Sequence, residues 1–492
     1  MSTPAPALSG FTRVLVLLVA IIGFLFDTYE LLMLPVIGTS ALSDLMKLPA
    51  DHVEVREWTG RILWIAALCG GVFGLLGGWM IDRFGRKTIM VGSILLYSLS
   101  PLAAAFSTEL WQFVLFRCTT FIGVCVELVA AVTWMAELFS DKRQREWAIA
   151  WSLAAASLGG LLVTVVDQWI VGQAPNFPAI PTASPESAHA PWRYTLISGL
   201  VPGLMILLLM PFVPESRVWA EKKRTGTLKR PSFAELFSPE LRRTTIVTTI
   251  LSACGYAAAF GALQLTPTQV IQVRAEIAEP RGEGQKLMKQ ADELKAKAEE
   301  SKDADEKKSL MAKQGELRKE AAPKLKEARE IQESRKSSIQ LWQEVGGLVG
   351  RILLAVLVSL IPAKRLFQLF VVPGIVLFPL TYYYLPAGEF FVFSLAIFFC
   401  GLLTVAQFSY LSEFLPKVFP LHLRGTGGSF ATNVGGRMIG TMAATFNTLV
   451  LSKSLAAGPQ GVALAAAVIG GSVYFIAFVT SFFLPKAHAD SE

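Results

Sequence analysis

The stretch GGWMIDRFGRK, residues 77–87, places an aspartate, three cationic residues and three glycines between two apolar runs. Glycines recur here at four-residue steps, as at Gly74 and Gly78, so one helix face is bare enough for another helix to approach closely. Gly85 permits a tight turn. We therefore expect a turn between two membrane helices, with Asp82 near a helix end where it can pair with a cation.

The composition of the 492-residue chain is that of a membrane protein. Hydrophobic residues make up 53% and charged residues 17%, and the mean hydropathy is +0.49, whereas soluble domains carry roughly 25% charged residues. Apolar runs of about 20 residues, the length that crosses the hydrocarbon core as a helix, recur along the chain. The first run, from Phe11, has no small-residue cleavage site after it, so no signal peptide is expected.

Twelve apolar runs are predicted to cross the membrane, which makes this an all-α membrane protein. Lysine and arginine concentrate in alternate loops, as in 83–87, 142–145 and 217–243. By the positive-inside rule, these loops and both termini are cytoplasmic. The predicted spans lie near 12–36, 60–81, 88–106, 110–136, 147–171, 193–213, 244–267, 339–361, 366–385, 389–412, 426–450 and 461–484.

The longest cytoplasmic loop divides these spans six and six. The predicted domains are an N-terminal six-helix bundle at 1–213, a cytoplasmic linker at 214–243, helix 7 at 244–273, an insert at 274–336 and the remainder of the C-terminal six-helix bundle at 337–492.

The insert at 274–336 is rich in Ala, Lys, Glu and Leu, which are good helix formers. SKDAD, residues 301–305, is typical of a turn between two helical arms, and Pro323 is expected to interrupt the second arm. Topology puts this helical hairpin on the outer face between helices 7 and 8, since long loops translocate largely regardless of charge. Either it is a solvated extension of two membrane helices, or it docks a protein partner or a second protomer. The apolar positions that step by seven residues within each arm, and so favour a weak pairing seam, are Leu287, Leu294, Leu310 and Leu317.

Nothing in the residue pattern indicates an enzyme. The five cysteines all lie in apolar runs and are expected to be packing residues. No CxxC or HExxH spacing is present, and the four histidines fall outside the predicted spans. No nucleophile–base pair and no basic, aromatic-rich soluble module stand out. We expect no catalytic residues, no cofactor, no metal and no nucleic-acid partner.

The pattern G-x-x-x-D-R-x-G-R-K resembles the signature loop between helices 2 and 3 of the major facilitator superfamily. RCTTFIGVCVE, residues 117–127, is similar to the R-x-x-x-G-x-G-x-G stretch of helix 4, with Phe121 and Cys125 in place of two glycines. The resemblance covers essentially the whole chain except 274–336. It implies twelve helices in two six-helix pseudo-repeats, the major facilitator fold, with access to a central site alternating between the two faces.

Helix ends on the cytoplasmic side carry further family marks. AELFSDKRQRE, residues 136–146, resembles the ending of helix 4, and SEFLPKVFPLHLRGTG, residues 412–427, repeats it after helix 10, as two related halves would. PES at 214–216 resembles a sugar-porter motif. The second signature loop, SLIPAKRLFQ at 359–368, has lost its Asp and Gly, so an asymmetric latch is expected. The residues that the resemblance assigns to a conformational latch are Gly78, Asp82, Arg83, Gly85, Arg86, Glu137, Arg143, Arg145, Glu215, Glu413 and Arg424.

Ionisable side chains at membrane depth are costly and suggest function. Asp27 and Glu30 lie in span one and Arg117 in span four, and the rise of a helix puts Asp27 and Arg117 at nearly the same depth. Proton-coupled sugar porters resemble this arrangement, which implies that Asp27 pairs with Arg117 and takes up the coupling proton. Glu30, one turn further, would share the proton or touch substrate. The alternative is a static ion pair that fastens two helices.

Other polar side chains at membrane depth are candidates for substrate contact. Arg351 and Arg437, in spans eight and eleven, would hold an anionic group bidentately if they face the cavity, or else form buried structural pairs. Glu127 is either a substrate contact or a packing residue with a hydrogen-bond partner. The candidate set is Glu127, Gln264, Arg351, Gln407, Asn433 and Arg437.

These observations predict a secondary active transporter for a small polar metabolite. FDTYEL, residues 26–31, resembles the first helix of metabolite:proton and organic-acid symporters, which favours an organic acid carried with a proton. A sugar or polyol is the alternative cargo, and a non-transporting sensor or scaffold acting through 274–336 is the alternative of another class. The expected location is the inner or plasma membrane, with the lipid bilayer, a small molecule and the proton as partners.

Overall fold

The computed structural model describes residues 10–48, 53–139, 141–181, 187–300 and 303–486. Within these ranges the chain forms helices and turns and no β-strand. The two termini, which are predicted to be cytoplasmic, and residues 301–302 of the predicted turn SKDAD lie outside the described residues.

The part of the chain before the linker is a succession of helices. Span one continues past Pro35, since neighbouring helices in a membrane protein satisfy the backbone groups that proline frees. Span five is two helices that meet at Ala156. The helices are α1 (Gly10–Met46), α2 (Val53–Phe84), α3 (Arg86–Ala105), α4 (Leu110–Leu138), α5 (Lys142–Ala155), α6 (Ser157–Gln173), α7 (Pro191–Ser198) and α8 (Leu200–Leu209).

The rest of the chain contains a short linker helix, one very long helix and an irregular span eleven. Span seven ends at Gly261, earlier than predicted, and gives way to 3₁₀ turns at Leu263–Leu265 and Val270–Val273. The helices are α9 (Arg217–Arg224), α10 (Arg242–Gly261), α11 (Ala275–Glu300), α12 (Ala304–Leu357), α13 (Ala363–Tyr384), α14 (Phe390–Val418), α15 (Arg424–Ser429), a π-helix (Phe430–Gly440), α16 (Met442–Thr445), a second π-helix (Phe446–Leu451), α17 (Ser452–Leu455) and α18 (Gly458–Ser481).

The hydrophobic core is divided at the linker. Clusters around Val16 and Ile37 are built from residues that precede the linker. A separate cluster around Phe367 is built from residues at the end of the linker and from the chain that follows it. Below, the N-terminal bundle means residues 10–213 and the C-terminal bundle means residues 242–481.

Ten helical stretches among the described residues are long and apolar enough to cross a membrane. They correspond to ten of the twelve predicted spans. The remaining two are the end of α12, which carries Gln343, Glu344 and Arg351, and the interrupted stretch from α15 to α17, which carries Asn433 and Arg437. The end of α12 differs from the ten by its polar side chains, and the stretch from α15 to α17 differs by its short elements as well. That these two stretches cross the membrane remains a prediction.

Helices α11 and α12 lie side by side in opposite directions. Arg335 contacts Glu276 at 3.0 Å near one end of the pair, and Arg318 contacts Asp292 at 3.0 Å further along. The predicted leucines are half-buried on the flanks of the seam, because small residues at its centre let the two helices approach closely. Pro323 is exposed inside α12, which continues through it, so the predicted interruption is absent. The buried seam residues are Ile277, Gly284, Ala291, Ala298, Ala321 and Ala328.

The two bundles meet at several pairs of helices, of which α2 with α15 and α5 with α12 are two. Helix α2 packs against α15 and the π-helix after it, where the Ser429 hydroxyl donates to the Gly74 carbonyl at 2.6 Å. Gly78 lies so close that a Cβ atom there would fall 2.2 Å from the Ser429 Cβ, which explains the bare glycine face. Helix α5 packs against α12, where Arg351 donates to the Leu153 carbonyl at 2.6 Å.

Candidate functional site

Asp27 lies half-buried in the middle of α1. The guanidinium groups whose charges act on its carboxylate are those of Arg437 and Arg351, and both belong to the C-terminal bundle. Its Oδ1 atom is buried and accepts no hydrogen bond from the described residues. A carboxylate of one bundle therefore sits in the field of two cations of the other.

Arg437 is positioned by the π-helix Phe430–Gly440, a type of helix that often occurs at functional sites. Its Nη1 donates to the Asn433 side-chain oxygen at 2.7 Å and to the Cys125 carbonyl at 3.5 Å, so the guanidinium also reaches α4 of the N-terminal bundle. Asn433 donates to Ser429 at 2.8 Å. Asn433 thus holds Arg437 in place, and its contact with substrate stays a prediction.

Arg351 lies half-buried in α12, and its main ionic partner is Glu344 on the same helix. The Glu344 carboxylate points toward α6, where its Oε2 lies 3.9 Å from the Cβ position of Gly160. Sequence analysis missed Glu344. The signal was present, because a spacing of seven residues, about two turns, puts Glu344 and Arg351 on one face of the helix.

Arg117 contacts the backbone of Glu30, and its charge acts on Glu30 and not on Asp27. Its Nη2 donates to the Glu30 carbonyl at 3.3 Å, and its charge is the cation that acts on the Glu30 carboxylate. No Asp27–Arg117 ion pair exists among the described residues, so the predicted pairing is corrected. Glu30 and Arg117 are fully buried, and neither carboxylate oxygen of Glu30 has a hydrogen-bond partner in the described structure.

Glu127 is a third buried carboxylate near this centre, on α4. It is 1% exposed, its Oε2 atom has no hydrogen-bond partner among the described residues, and Asp27 is the charge that acts on it. Gly23 makes room for it, since a Cβ there would fall 2.7 Å from Oε1. The carboxylates of Asp27, Glu30 and Glu127 therefore form one group inside the N-terminal bundle.

The predicted amides differ in their placement. Gln407 is buried on α14 with its Nε2 unpartnered in the described structure, and its Oε1 lies 3.7 Å from the Cβ position of Gly255 on α10. Beside it, Tyr256 packs edge-on against Phe408 with 4.8 Å between ring centroids. Gln264 lies in the 3₁₀ turn after α10, and no hydrogen bond or ion pair described here links it to Arg351 or Arg437.

A second cluster, here named the Asp82 cluster, forms where α2 and α3 meet α15. Asp82 is buried and accepts hydrogen bonds from the Gly425 N–H at 3.0 Å, the Thr426 N–H at 2.7 Å and the Thr426 hydroxyl at 2.8 Å. The first N–H groups of a helix lack partners within it. The cation expected beside Asp82 is Arg86 at 3.3 Å, on its own bundle, so Asp82 reaches the other bundle through two backbone N–H groups and one hydroxyl group.

Arg86 is fully buried at the centre of this cluster. It donates to both carboxylate oxygens of Glu137, at 3.0 and 2.9 Å, and to the Leu421 carbonyl of the C-terminal bundle at 2.9 Å. Ser216 donates to Glu137 from the linker, and Arg424 approaches the same carboxylate at 3.7 Å. One guanidinium and one carboxylate therefore join both bundles and the linker.

The turn of the signature loop is closed by Gly85 and Glu215. Gly85 has φ +115°, and a Cβ there would fall 2.6 Å from the Glu215 Oε2 atom. Glu215 accepts the Lys87 N–H at 3.1 Å. The indole of Trp219 donates to the Asp82 carbonyl at 2.8 Å, which packs α9 onto the cluster.

The other predicted latch residues divide into two groups. Arg83 is exposed over the Trp79 ring at 5.1 Å, and Arg143 is exposed as well, so neither enters the Asp82 cluster. Glu413 pairs with Lys417, which also contacts Glu146 of the N-terminal bundle at 2.8 Å. Sequence analysis assigned neither Lys417 nor Glu146 to the latch. Arg145 lies close enough for its charge to act on Glu413.

Two of these arrangements have chemical consequences. At the centre, carboxylates of one bundle and arginines of the other leave buried charge incompletely paired, which is costly unless a proton or an anionic ligand balances it. At the Asp82 cluster, the bonds between bundles are numerous and break only if the bundles separate there.

Comparisons with known proteins place the chain in a family. It is 28% identical to the cis,cis-muconate transport protein of Acinetobacter baylyi over 185 residues, 37% of this chain and 41% of that protein. It is 28% identical to the 3-(3-hydroxy-phenyl)propionate transporter of Escherichia coli over 183 residues, 36% of this chain and 40% of that protein. The matched parts thus span about two fifths of these relatives' length.

The fold agrees with that of solved transporters. The structure of the proton:xylose symporter XylE bound to 6-bromo-6-deoxy-D-glucose superposes with a TM-score of 0.67 at 16% identity and covers 97% of both chains. At this identity the likeness concerns the fold alone.

The family itself is given by sequence. The family model described as Major Facilitator Superfamily matches residues 17–275, more than half of the chain. Membership of this family of transporters confirms the prediction that the chain is not an enzyme. The protein belongs to the Major Facilitator Superfamily.

Proposed function

We propose that this protein is a secondary active transporter that carries an organic acid together with a proton by alternating access. The observation that supports it most is the half-buried Asp27 carboxylate of the N-terminal bundle in the field of Arg351 and Arg437 of the C-terminal bundle. The carboxylate of a substrate would compete with Asp27 for the same two guanidinium groups. A proton on Asp27 removes that competition, so proton and anion would bind together.

Glu30 and Arg117 are proposed as the second half of the coupling device. Arginine keeps its charge at every relevant pH, so the proton must bind to a carboxylate. Glu30 is fully buried beside Arg117 without a hydrogen bond to its oxygens from the described residues. A change of solvent access or of the Arg117 position would change its proton affinity. Asp27 and Glu30 would share the work of sensing substrate and carrying the proton.

The Asp82 cluster is proposed to hold the bundles together on the cytoplasmic side. The proposal is supported by Asp82, Arg86 and Arg424, which all bridge the bundles there, as a closed cytoplasmic path would require. Opening inward would break these bonds. Ligands would bias the balance only through different affinities for the two states.

The finer topology is also a proposal. We place twelve crossings in two six-helix bundles in the inner or plasma membrane, with both termini cytoplasmic and the α11–α12 pair outside. An impermeant thiol reagent added to whole cells should label Met311→Cys in this pair. It should label Thr227→Cys in the linker only after permeabilisation, and the reverse pattern would invert the orientation.

An organic acid is favoured over a sugar by the two central arginines and by the acids that the two relatives carry. The test is uptake into proteoliposomes with an imposed proton gradient, comparing labelled cis,cis-muconate, 3-(3-hydroxyphenyl)propionate and xylose. We expect one of the acids to accumulate and a protonophore to abolish the accumulation. Arg437→Gln should remove it, whereas Arg365→Gln, at an exposed arginine, should not. Accumulation of xylose alone would favour the sugar alternative, and accumulation of none would reject this function.

A scaffold that acts through the α11–α12 pair is the second candidate, favoured by the length and close packing of that pair. Replacing 279–333 with a short flexible linker distinguishes the scaffold from the transporter. Retained uptake makes the pair accessory, whereas loss of a bound partner from a protein that carries no solute supports the scaffold.

A further inference from the structure

A line of polar side chains runs through the interior of the N-terminal bundle, apart from the two arginines of the proposed substrate site. It begins at Asp167 in the last two turns of α6, where the carboxylate is half-exposed. The Thr195 hydroxyl of α7 donates to the Asp167 Oδ1 atom at 2.7 Å. Asp167 is thus held by a buried donor while part of it stays open to the surroundings.

The line continues inward through two hydroxyl groups. Ser198 on α7 donates to the Thr195 carbonyl at 2.6 Å, and its oxygen lies 2.6 Å from the Tyr29 hydroxyl of α1. Tyr29 is 2% exposed, and the carboxylates of Asp167 and Glu30 both act on it electrostatically. Tyr29 and Ser198 therefore lie between the two acids.

The line ends at Glu30. A Cβ atom at Gly199, the residue after Ser198, would fall 1.9 Å from the Glu30 Oε1 atom. The Glu30 carboxylate thus lies directly against the backbone next to Ser198. Its two oxygens have no hydrogen-bond partner among the described residues. The other charges that act on Glu30 are Arg117 and Asp27.

We propose that this line is the path by which the coupling proton reaches Glu30 from outside, separate from the path of the substrate. This deepens the proposed proton symport and rests on it. A proton from external water binds to Asp167. The Ser198 and Tyr29 hydroxyls each accept one proton and release their own. Water would bridge the two intervals that no described hydrogen bond spans, from Asp167 to Ser198 and from Tyr29 to Glu30. Glu30 takes up the last proton and loses its negative charge.

The cation that α7 carries beside this line is already engaged. Arg193 of α7 donates to the carbonyls of Ala105 and Ser107, at 2.7 and 2.9 Å, and contacts Asp44 at 3.4 Å. Tyr97 on α3 also lies near these acids, and Glu127 is the carboxylate that acts on it most. In the proposed path, Asp167 is the acid that connects Glu30 with the outer end of the bundle.

The test compares two modes of transport in proteoliposomes, with labelled cis,cis-muconate as the probe. Accumulation driven by a proton gradient requires net proton uptake, whereas counterflow exchange without a gradient does not. We expect Asp167→Asn to slow gradient-driven uptake by about tenfold or more and to leave counterflow within a factor of about two of wild type. Tyr29→Phe should act in the same direction. Asp167→Glu should restore driven uptake and shift its pH profile.

The control is Glu389→Gln, an exposed carboxylate just before α14 in the other bundle, and it should match wild type in both modes. Driven uptake by Asp167→Asn at the wild-type rate would overturn the path, and so would equal losses in both modes, which indicate a structural role. Wild-type protein without counterflow would instead reject the proposed function itself.

Discussion

Asp27 and Glu30 lie three residues apart on α1, and this separation gives their side chains different surroundings. On a helix such residues lie at similar depth but point about 60° apart, enough for Glu30 to meet Arg117 on α4 while Asp27 lies in the field of the other bundle. Sequence predicts their depth, because depth follows from counting residues. It does not predict the partner, because that depends on how α1 is rotated against its neighbours.

The two carboxylates should respond differently to neutralisation. Asp27→Asn removes the internal competitor for Arg351 and Arg437, so we expect an organic anion to bind about tenfold more tightly, or ~1.4 kcal/mol, at neutral pH. Glu30→Gln is the matched variant on the same helix and should leave that affinity nearly unchanged while abolishing proton-driven accumulation. Thermal-shift titration of the purified variants with cis,cis-muconate measures the first effect. Equal affinities in the two variants would contradict the assignment of Asp27 to the anion site.

At the scale of elements, the α11–α12 pair illustrates what pattern reading captures. Steps of seven residues predict that two arms pair, and they do lie antiparallel. The leucines that carry the pattern flank the seam, because Gly284, Ala291 and Ala321 at its centre draw the helices closer than leucine allows. The π-helix that carries Arg437 has no comparable signal, since its wider turns depend on packing against α2 and α10.

Glu276 fixes the base of this pair, which is the end at which α11 begins. Arg274 and Arg335 donate to it at 2.7 and 2.9 Å, and both guanidinium groups lie over the Phe390 ring, at 5.0 and 4.2 Å. Burial by itself acts to raise the pKa of Glu276, but hydrogen bonds from the two arginines outweigh it and leave the pKa below its ordinary value. The contribution to stability is therefore complete above the unfolded-state pKa and is lost as pH falls through the lower folded-state pKa.

Removing this carboxylate should loosen the base of the pair. For Glu276→Gln we expect the opening free energy of residues 275–285 to fall by about 1–2 kcal/mol at pH 7, because two charged donors lose their charged acceptor. Hydrogen exchange of this segment measures it, and the difference from wild type should shrink as the pH drops below about 4.3, the ordinary pKa of glutamate. Glu279→Gln, at an exposed acid one turn on, should exchange as wild type does. A difference that is constant over pH would contradict the role of ionised Glu276.

At the scale of the whole molecule, the two bundles are held together by backbone as much as by side chains. Asp82 is recognisable from sequence, but its partners in the other bundle are the N–H groups that begin α15 and the Thr426 hydroxyl, and backbone donors leave no residue pattern to read. Glycine does leave one. The four-residue glycine steps of α2 indicate a close helix contact, although the partner, span eleven of the other bundle, becomes evident only in three dimensions.

That contact provides a test of the proposal that this structure is closed on the cytoplasmic side. In Gly78→Val, the added atoms would meet the Ser429 Cβ and the Gly425 carbonyl, which lie 2.2 and 2.6 Å from the Cβ position. Overpacking of this kind costs about 2 kcal/mol and acts only while the bundles touch, so the equilibrium should shift roughly 30-fold toward the inward-open state. Spin labels at Arg83→Cys and Lys364→Cys, two exposed sites on different bundles, would report a longer distance once the native cysteines are replaced. Gly92→Val has no atom within 4 Å of its Cβ position and should leave the distance unchanged. A distance in Gly78→Val that equals that of the Gly92→Val control would show that the α2–α15 contact does not hold the cytoplasmic side closed, since steric pressure at its tightest point would then have had no effect on the opening.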